Sequence, residues 1–350
     1  MLIVPSIRSS AALLGAALSV AIGSAAKAQG ADSTSAGARR TRAPISIGNY
    51  PRVDGVRLNF RDRRLDRVRG INATIWQPHE PATGAVTGLA LGLPLTGAGE
   101  IHGLALGMLG ASASGTIRGI AIGGIGVGSG GGVRGLAIGG IGVGSGGDLE
   151  GIAIGGIGAG SGGNATGLVV GGIGAGLGGK LRGIAIGGIG VGAAGGVSGL
   201  SIGGIGVGTG GDLTGIMLAG IGAGAGGNVT GLTVSGIGAG AGGTMRGIGI
   251  AGIGIGAPKL VGGYLAPTVG ALDAHAIVIA PVLFRIEKGG SFRGGSLSAV
   301  NYVRGTQRGV SIGLVNYARS LHGVQIGVLN IIADQTSHPF LPIVNWGGGR

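Results

Sequence analysis

Large aliphatic residues in the middle of the chain recur at alternate positions in short bursts, and the bursts recur every sixteen residues. "GIAIGGIGVGSGG", beginning at Gly119, shows the unit. Ile120 and Ile122 alternate with Ala121 and Gly123, the phase slips at Gly123-Gly124, and alternation resumes at Ile125 and Val127. A period of two predicts a strand, and a double glycine where the phase slips predicts a bend or bulge. Each unit therefore reads as two short strands meeting at a corner, followed by a third corner of small residues such as "SGGD".

From Gly119 the anchor glycine returns at Gly135, Gly151, Gly167, Gly183, Gly199, Gly215, Gly231 and Gly247. With looser spacing it extends upstream through Gly55, Gly70, Gly88 and Gly103, and downstream through Gly294, Gly309 and Gly323. Such a period marks a stacked architecture, because one unit cannot bury its own apolar face. The pattern predicts an all-β fold: a repeat β-solenoid with rungs of 14–18 residues, 16 in the central array. The alternative is an outer-membrane β-barrel, since "RGIAIGGIGVG" has the length of a spanning strand and short turns separate the copies. Against it, the positions opposite the aliphatics are glycine and alanine rather than a polar lumen lining. The uncharged run from Gly183 to Gly211 is no spanning helix, because its many glycines each cost about 1 kcal/mol relative to alanine.

On the solenoid reading, the branched aliphatics point into a shared dry interior. Ala121, Ala137, Ala153, Ala185 and Ser201 then form a flat small-residue face outside. Arg118, Arg134, Asp148, Glu150, Lys180, Arg182, Asp212 and Arg246 all flank the third corner or the anchor, which marks that edge as wet.

Composition alters this picture in two ways. Gly 91 and Pro 11 among 350 residues indicate low-complexity disorder only where no period exists. Aromatics at 3% and charged residues at 11% suit neither a ring-built core nor a solvated disordered chain. At the start, Arg8, the apolar "AALLGAALSVAIG" and Ala26-Lys27-Ala28 predict a signal peptide over 1–28. Its apolar run is shorter than the roughly 20 residues of a spanning anchor. The expected order is then a flexible basic segment at 29–50, irregular repeats at 51–118 and the regular array at 119–256. Irregular repeats at 257–293 and Asn-type repeats with a cap at 294–350 follow. With no cysteine, the chain has neither disulfides nor a lipid-modified cysteine. The expected location is the cell surface, outer membrane or periplasm.

The net charge of +13 is concentrated in "RRTR" at 39–42 and "PRVDGVRLNFRDRRLDRVRG" at 51–70. Arg57, Arg61, Arg63, Arg64, Arg67 and Arg69 are the candidate contacts to an anionic envelope surface or polysaccharide; a solvated cap is the plainer reading. Nucleic acid is not an expected partner, since stacking aromatics are missing. "GIGVGSG" lacks the following helix and acid of a dinucleotide fingerprint, and no Gly-Lys-Ser/Thr occurs for a P-loop. Asp148 and Asp212 are isolated, whereas calcium-binding glycine repeats need an acid in every copy. His79, His102, His275, His322 and His338 show no paired ligand spacing, and no Ser-His-Asp or paired-carboxylate arrangement is present. Catalytic, cofactor and metal residues are accordingly expected to be absent. Asn301, Asn316 and Asn330, each seven residues after its anchor, are expected to form a structural ladder from rung to rung. A polar ligand-binding row is the alternative.

"QRGVSIGLVNYARSLHGVQIGVLNIIADQTSHPFLPIVNW" resembles the leptospiral-type bacterial surface-repeat proteins, with their G-[LIV]-x-[IV]-G-[LIV]-x-N-Y repeat and "LPxxN" ending. The resemblance is strongest from Gly309 to Asn330 and acceptable from Gly55 to Gly103. It covers most of the chain if the glycine-rich middle counts as copies that have lost the N-Y pair. It implies an exported, surface-associated protein without an established activity and carries over no catalytic residue. The expected function is a non-enzymatic structural or adhesion role, with a β-barrel or an ice- or polysaccharide-binding solenoid as alternatives. The expected partners are an anionic envelope surface, a polysaccharide, or a second copy met through the flat small-residue face.

Overall fold

The computed structural model describes residues 44–76, 78 and 82–348. The predicted signal at 1–28 and most of the basic segment lie outside them. Ile45–Ile47, at the end of the segment expected to be flexible, is a strand paired with Val56–Leu58.

The described residues form two compact units, one ending at Gly188 and one beginning at Ile189. Each is a parallel β-solenoid. In the first, Gly103, Gly119, Gly135, Gly151, Gly167 and Gly183 pair in series, anchor on anchor. In the second, Gly199, Gly215, Gly231, Gly247 and Gly262 do the same. Away from the sixteen-residue array the steps vary: Gly70 pairs with Gly88, Gly88 with Gly103 and Gly309 with Gly323. Pairing runs up the stack, parallel throughout except for Phe340–Gly347, which lies antiparallel on Val315–Ile332. A barrel of the outer-membrane type needs antiparallel neighbours closing a ring, so the barrel alternative is set aside.

A regular rung contains an eight-residue strand, such as Thr116–Gly123, and a four-residue one, such as Gly126–Ser129. The longer strand bends at its anchor. Arg118 and Ile120, on either side of Gly119, both face out, while Ile117 and Ala121 are buried. Each rung thus has three short straight segments. The anchor has φ of +122° at Gly151, and a β carbon there would overlap the carbonyl oxygen of Gly135 one rung away. Conformation and close approach both require glycine.

The phase created by this bend is opposite to the one the sequence suggested. Leu149, Ala153, Gly155, Ala159 and Ser161 line the interior of the rung around Gly151. Ala121, Ala137, Ala153, Ala185 and Ser201 are all 0% exposed, so the flat small-residue outer face does not exist. Ile120 and Ile152 are instead 42% and 40% exposed, and the corner Ile125 is 48% exposed. The reason is space. At Gly155 a β carbon would overlap the carbonyl oxygen of Gly158 across the corner, so the interior there has no room for a branched side chain.

Volume enters the core mainly two residues before the anchor, where Ile117, Val133, Leu149, Leu181, Leu213 and Met245 are buried. Rungs trade volume between slots. Where this position shrinks to Ala165, the residue two after the anchor grows to Val169, stacked on Leu149 and Ala153 respectively. Gly249 is paired with Tyr264, and a β carbon at Gly249 would meet the tyrosine ring. Such compensation is how a close-packed interior is kept full without strain. At Ser129, Ser145 and Ser161 the third corner is held by a buried serine: Ser161 Oγ donates to the Gly147 carbonyl at 2.6 Å and accepts from the Gly163 amide at 3.1 Å.

Tyr264 closes off the regular array in the second unit. Its hydroxyl donates to the Met245 carbonyl at 2.6 Å and accepts from the Val261 amide at 3.2 Å. Burial pushes its pKa from 10.0 up to about 12, opposed by the backbone bond to Val261. The native state therefore holds this proton longer than the unfolded chain, and the stability contribution is complete below pH 10 and lost as pH rises toward 12. Denaturation midpoints taken across that window fall more steeply for the native protein than for Tyr264→Phe. At neutral pH the variant is less stable by about 1 kcal/mol for the lost hydrogen bonding.

Candidate interaction surface

Three outward positions of each regular rung carry large aliphatics: one, three and six residues after the anchor. In the first unit Ile120, Leu136, Ile152, Leu168 and Ile184 stack in one row. Ile122, Ile138, Ile154, Val170 and Ile186 stack in a second row beside it. At the corner, the Ile141 amide donates to the Ile125 carbonyl at 2.6 Å and the Ile157 amide to the Ile141 carbonyl at 2.7 Å, forming a third row. The second unit repeats the arrangement with Leu200, Ile216, Leu232 and Ile248, and with the corner residues Ile205, Ile221, Ile237 and Ile253. Fully burying an isoleucine contributes about 1.5–3 kcal/mol, so each side chain left two-fifths exposed retains about 1 kcal/mol for a partner. Contiguous exposed apolar rows of this kind are a candidate interaction surface.

Polar side chains are segregated onto the remaining segment, just before the anchor. Arg118, Arg134, Glu150, Thr166 and Arg182 form one exposed row there, with Arg134 Nε 3.2 Å from the Glu150 carboxylate. Beside it, Asp148 Oδ1 accepts from the Asn164 amide at 2.7 Å, and Asn164 Oδ1 accepts from the Lys180 amide at 2.9 Å. The second unit has the same device: Asp212 Oδ1 accepts from the Asn228 amide at 2.7 Å and Asn228 Oδ1 from the Thr244 amide at 2.9 Å. Asp148 and Asp212, isolated as calcium ligands, are the first members of corner ladders. The signal available in the sequence was an Asn sixteen residues after each Asp. Asp212, Thr214, Asn228, Thr230, Thr244 and Arg246 surround an open polar depression of about 290 Å³.

The predicted arginine patch divides. Arg57 is fully buried, which removes it from any surface contact. It lies two residues after the anchor Gly55, the same inward slot that Ala121 occupies after Gly119, and the misassigned phase hid this. Its guanidinium pairs with Asp62 and donates to Asn72 Oδ1 at 2.8 Å. Asp62 also accepts from Asn59, from Asn72 at 3.0 Å and from Thr74 Oγ1 at 2.6 Å. A buried ion pair persists only with such added hydrogen bonds. Arg61 is half-buried. Arg63 and Arg64 are exposed between the strands Arg52–Asn59 and Arg67–Thr74. Arg67 and Arg69 are exposed on the polar segment, Arg67 within 3.9 Å of Asp54.

Asn301, Asn316 and Asn330 are fully buried. Asn301 Nδ2 donates to Asn316 Oδ1, and Asn316 Nδ2 to Asn330 Oδ1, each at 2.7 Å. Asn301 also donates to the Ile312 carbonyl and Asn316 to the Ile326 carbonyl, both at 3.0 Å, tying the corner backbone. Tyr302 and Tyr317, the partners in each N-Y pair, pack with ring centroids 5.0 Å apart and ring planes tilted by 37°, and Tyr302 is exposed.

Among the described residues, no group of three or more His, Asp or Glu side chains lies together as a metal site. No helix of those residues is long and apolar enough to cross a membrane. Comparisons with protein-family models, curated proteins and solved structures found no match to this chain.

Proposed function

We propose that this chain is an exported, surface-associated repeat protein that acts as a non-enzymatic structural and adhesion scaffold, of the leptospiral surface-repeat type. The observation that carries this reading is the arrangement of the exterior. Three large aliphatics of each regular rung stand outside in stacked rows, and the outward charged side chains of the array keep to one segment of each rung. A chain built this way works by presenting a repeated surface. The signal-like sequence at 1–28 supports export, and the inward Asn with outward Tyr at Asn301-Tyr302 and Asn316-Tyr317 supports the family resemblance. Exposed Arg63, Arg64 and Arg69 suit an anionic envelope surface. The outward rows are aliphatic where an ice- or polysaccharide-binding face would present hydroxyls and rings.

The test is fractionation of a two-membrane bacterium expressing the protein with and without residues 1–28. The full chain is expected in the envelope fraction and to stay there through a high-salt wash, while the truncated chain stays in the cytoplasm. Recovery of the full chain in the cytoplasmic fraction overturns the reading.

A further inference from the structure

We propose that the aliphatic rows of the first unit are a lipid-facing surface whose occupant is the acyl region of a phospholipid bilayer. This deepens the surface-associated reading and rests on it.

Three features select a bilayer over a protein partner. The rows present nearly the same side chain at every rung, as in Ile122, Ile138 and Ile154, so sliding a partner by one rung costs nothing. A protein interface needs features that fix register and suppress alternatives, whereas a fluid hydrocarbon needs none. The two aliphatic segments also offer no polar side chain outward over these rungs, and Ser129, Ser145 and Ser161 at the third corner are buried. A specific protein interface carries about one hydrogen bond per 100–200 Å². Thirdly, the backbone of each rung is hydrogen-bonded to the rungs above and below, as in the Ile141, Ile157 and Ile173 amides donating to Ile125, Ile141 and Ile157. The segments can therefore enter hydrocarbon without unpaired backbone groups.

The charges complement this occupant. Arg118 and Arg182 are exposed one step across the anchor from Ile120 and Ile184, and neither makes an ion pair among the described residues. Their long apolar stems can lie along the aliphatic rows while the guanidinium reaches the phosphate layer. The geometry is that of an amphipathic element lying in the interface, built from stacked strands.

Flotation of the purified full chain with phosphatidylcholine vesicles, and with mixed phosphatidylcholine/phosphatidylglycerol vesicles, tests the proposal. The protein floats with both, several-fold better with the anionic mixture at low salt. Binding to pure phosphatidylcholine persists at about 1 M salt, where the Debye length is about 3 Å. The outward triple substitution Ile122→Gln/Ile138→Gln/Ile154→Gln keeps the β circular-dichroism signal and lowers vesicle partitioning at least tenfold. Should the triple variant lose that signal, the corner pair Ile125→Gln/Ile141→Gln gives the same reading. Residues 1–28 are common to all the proteins compared, so the difference reports the face alone. Flotation that salt abolishes, or that the glutamines leave unchanged, overturns the proposal. So does a discrete dimer in vesicle-free buffer that the triple substitution dissolves, because the face is then a protein interface. Failure here leaves the fractionation result standing, and cytoplasmic location leaves the flotation result standing.

Discussion

Gly151→Ala lowers the stability of the protein by about 3–5 kcal/mol. Two costs combine: a side chain at φ +122° is strained by about 1–3 kcal/mol, and the new methyl overlaps the Gly135 carbonyl oxygen. The overlap is with backbone, so relief requires neighbouring rungs to separate and weakens the parallel hydrogen bonds on both sides. Gly144→Ala is the control. A β carbon at Gly144 meets nothing within 4 Å, and its φ is not in the positive range. That substitution should change stability by less than about 0.5 kcal/mol, in either direction. Urea denaturation of both variants checks the pair, and equal effects would remove the bend at the anchor from the account.

The second large effect separates inside from outside on adjacent residues. Ala153→Leu forces a branched side chain into a fully buried slot stacked between Ala137 and Val169. It costs about 3 kcal/mol, the upper end for overpacking. Ile152→Ser, one residue earlier on the exposed row, costs less than about 1 kcal/mol, within the range of surface substitutions. Natural volume trading adds a sharper expectation. Because Ala165 with Val169 already replaces the Leu149 with Ala153 combination one rung away, Leu149→Ala/Ala153→Val should be more stable than the sum of its single changes. A coupling of about 1 kcal/mol in a double-mutant cycle is the expected size for residues sharing a packed slot.

Much of the architecture was legible because register leaves a strong trace. The sixteen-residue return of the anchor follows from parallel pairing of Gly119 with Gly135 and Gly135 with Gly151. The looser outer spacings follow in the same way from pairs such as Gly70 with Gly88. The sense of the strands was not legible. Alternation reveals which residues share a face, and a shift of one residue exchanges the faces. The ordinary rule that large aliphatics go inside then assigned Ile120 and Ile122 to the core and Ala121 to the surface. What overrides the rule is thickness. Gly155 stands against Gly158 across a corner with no room for a β carbon, and no local hydrophobic pattern states how wide a rung is. The same inversion conceals Arg57, which the sequence pattern presents as a surface cation and which occupies an inward slot beside Asp62, Asn72 and Thr74. A cue was present in Val169, which stands alone among the alanines of this slot in the first unit, since an interior position gains from trading volume with Ala165.

The chain contains no cysteine, so single thiols can report each face without background. Maleimide labelling of the folded Ile152→Cys and Ala153→Cys proteins tests the inverted phase most directly. Rapid reaction at position 152, with position 153 protected until denaturant is added, is the predicted result. Free labelling at 153 with protection at 152 would contradict it and return the isoleucines to the interior.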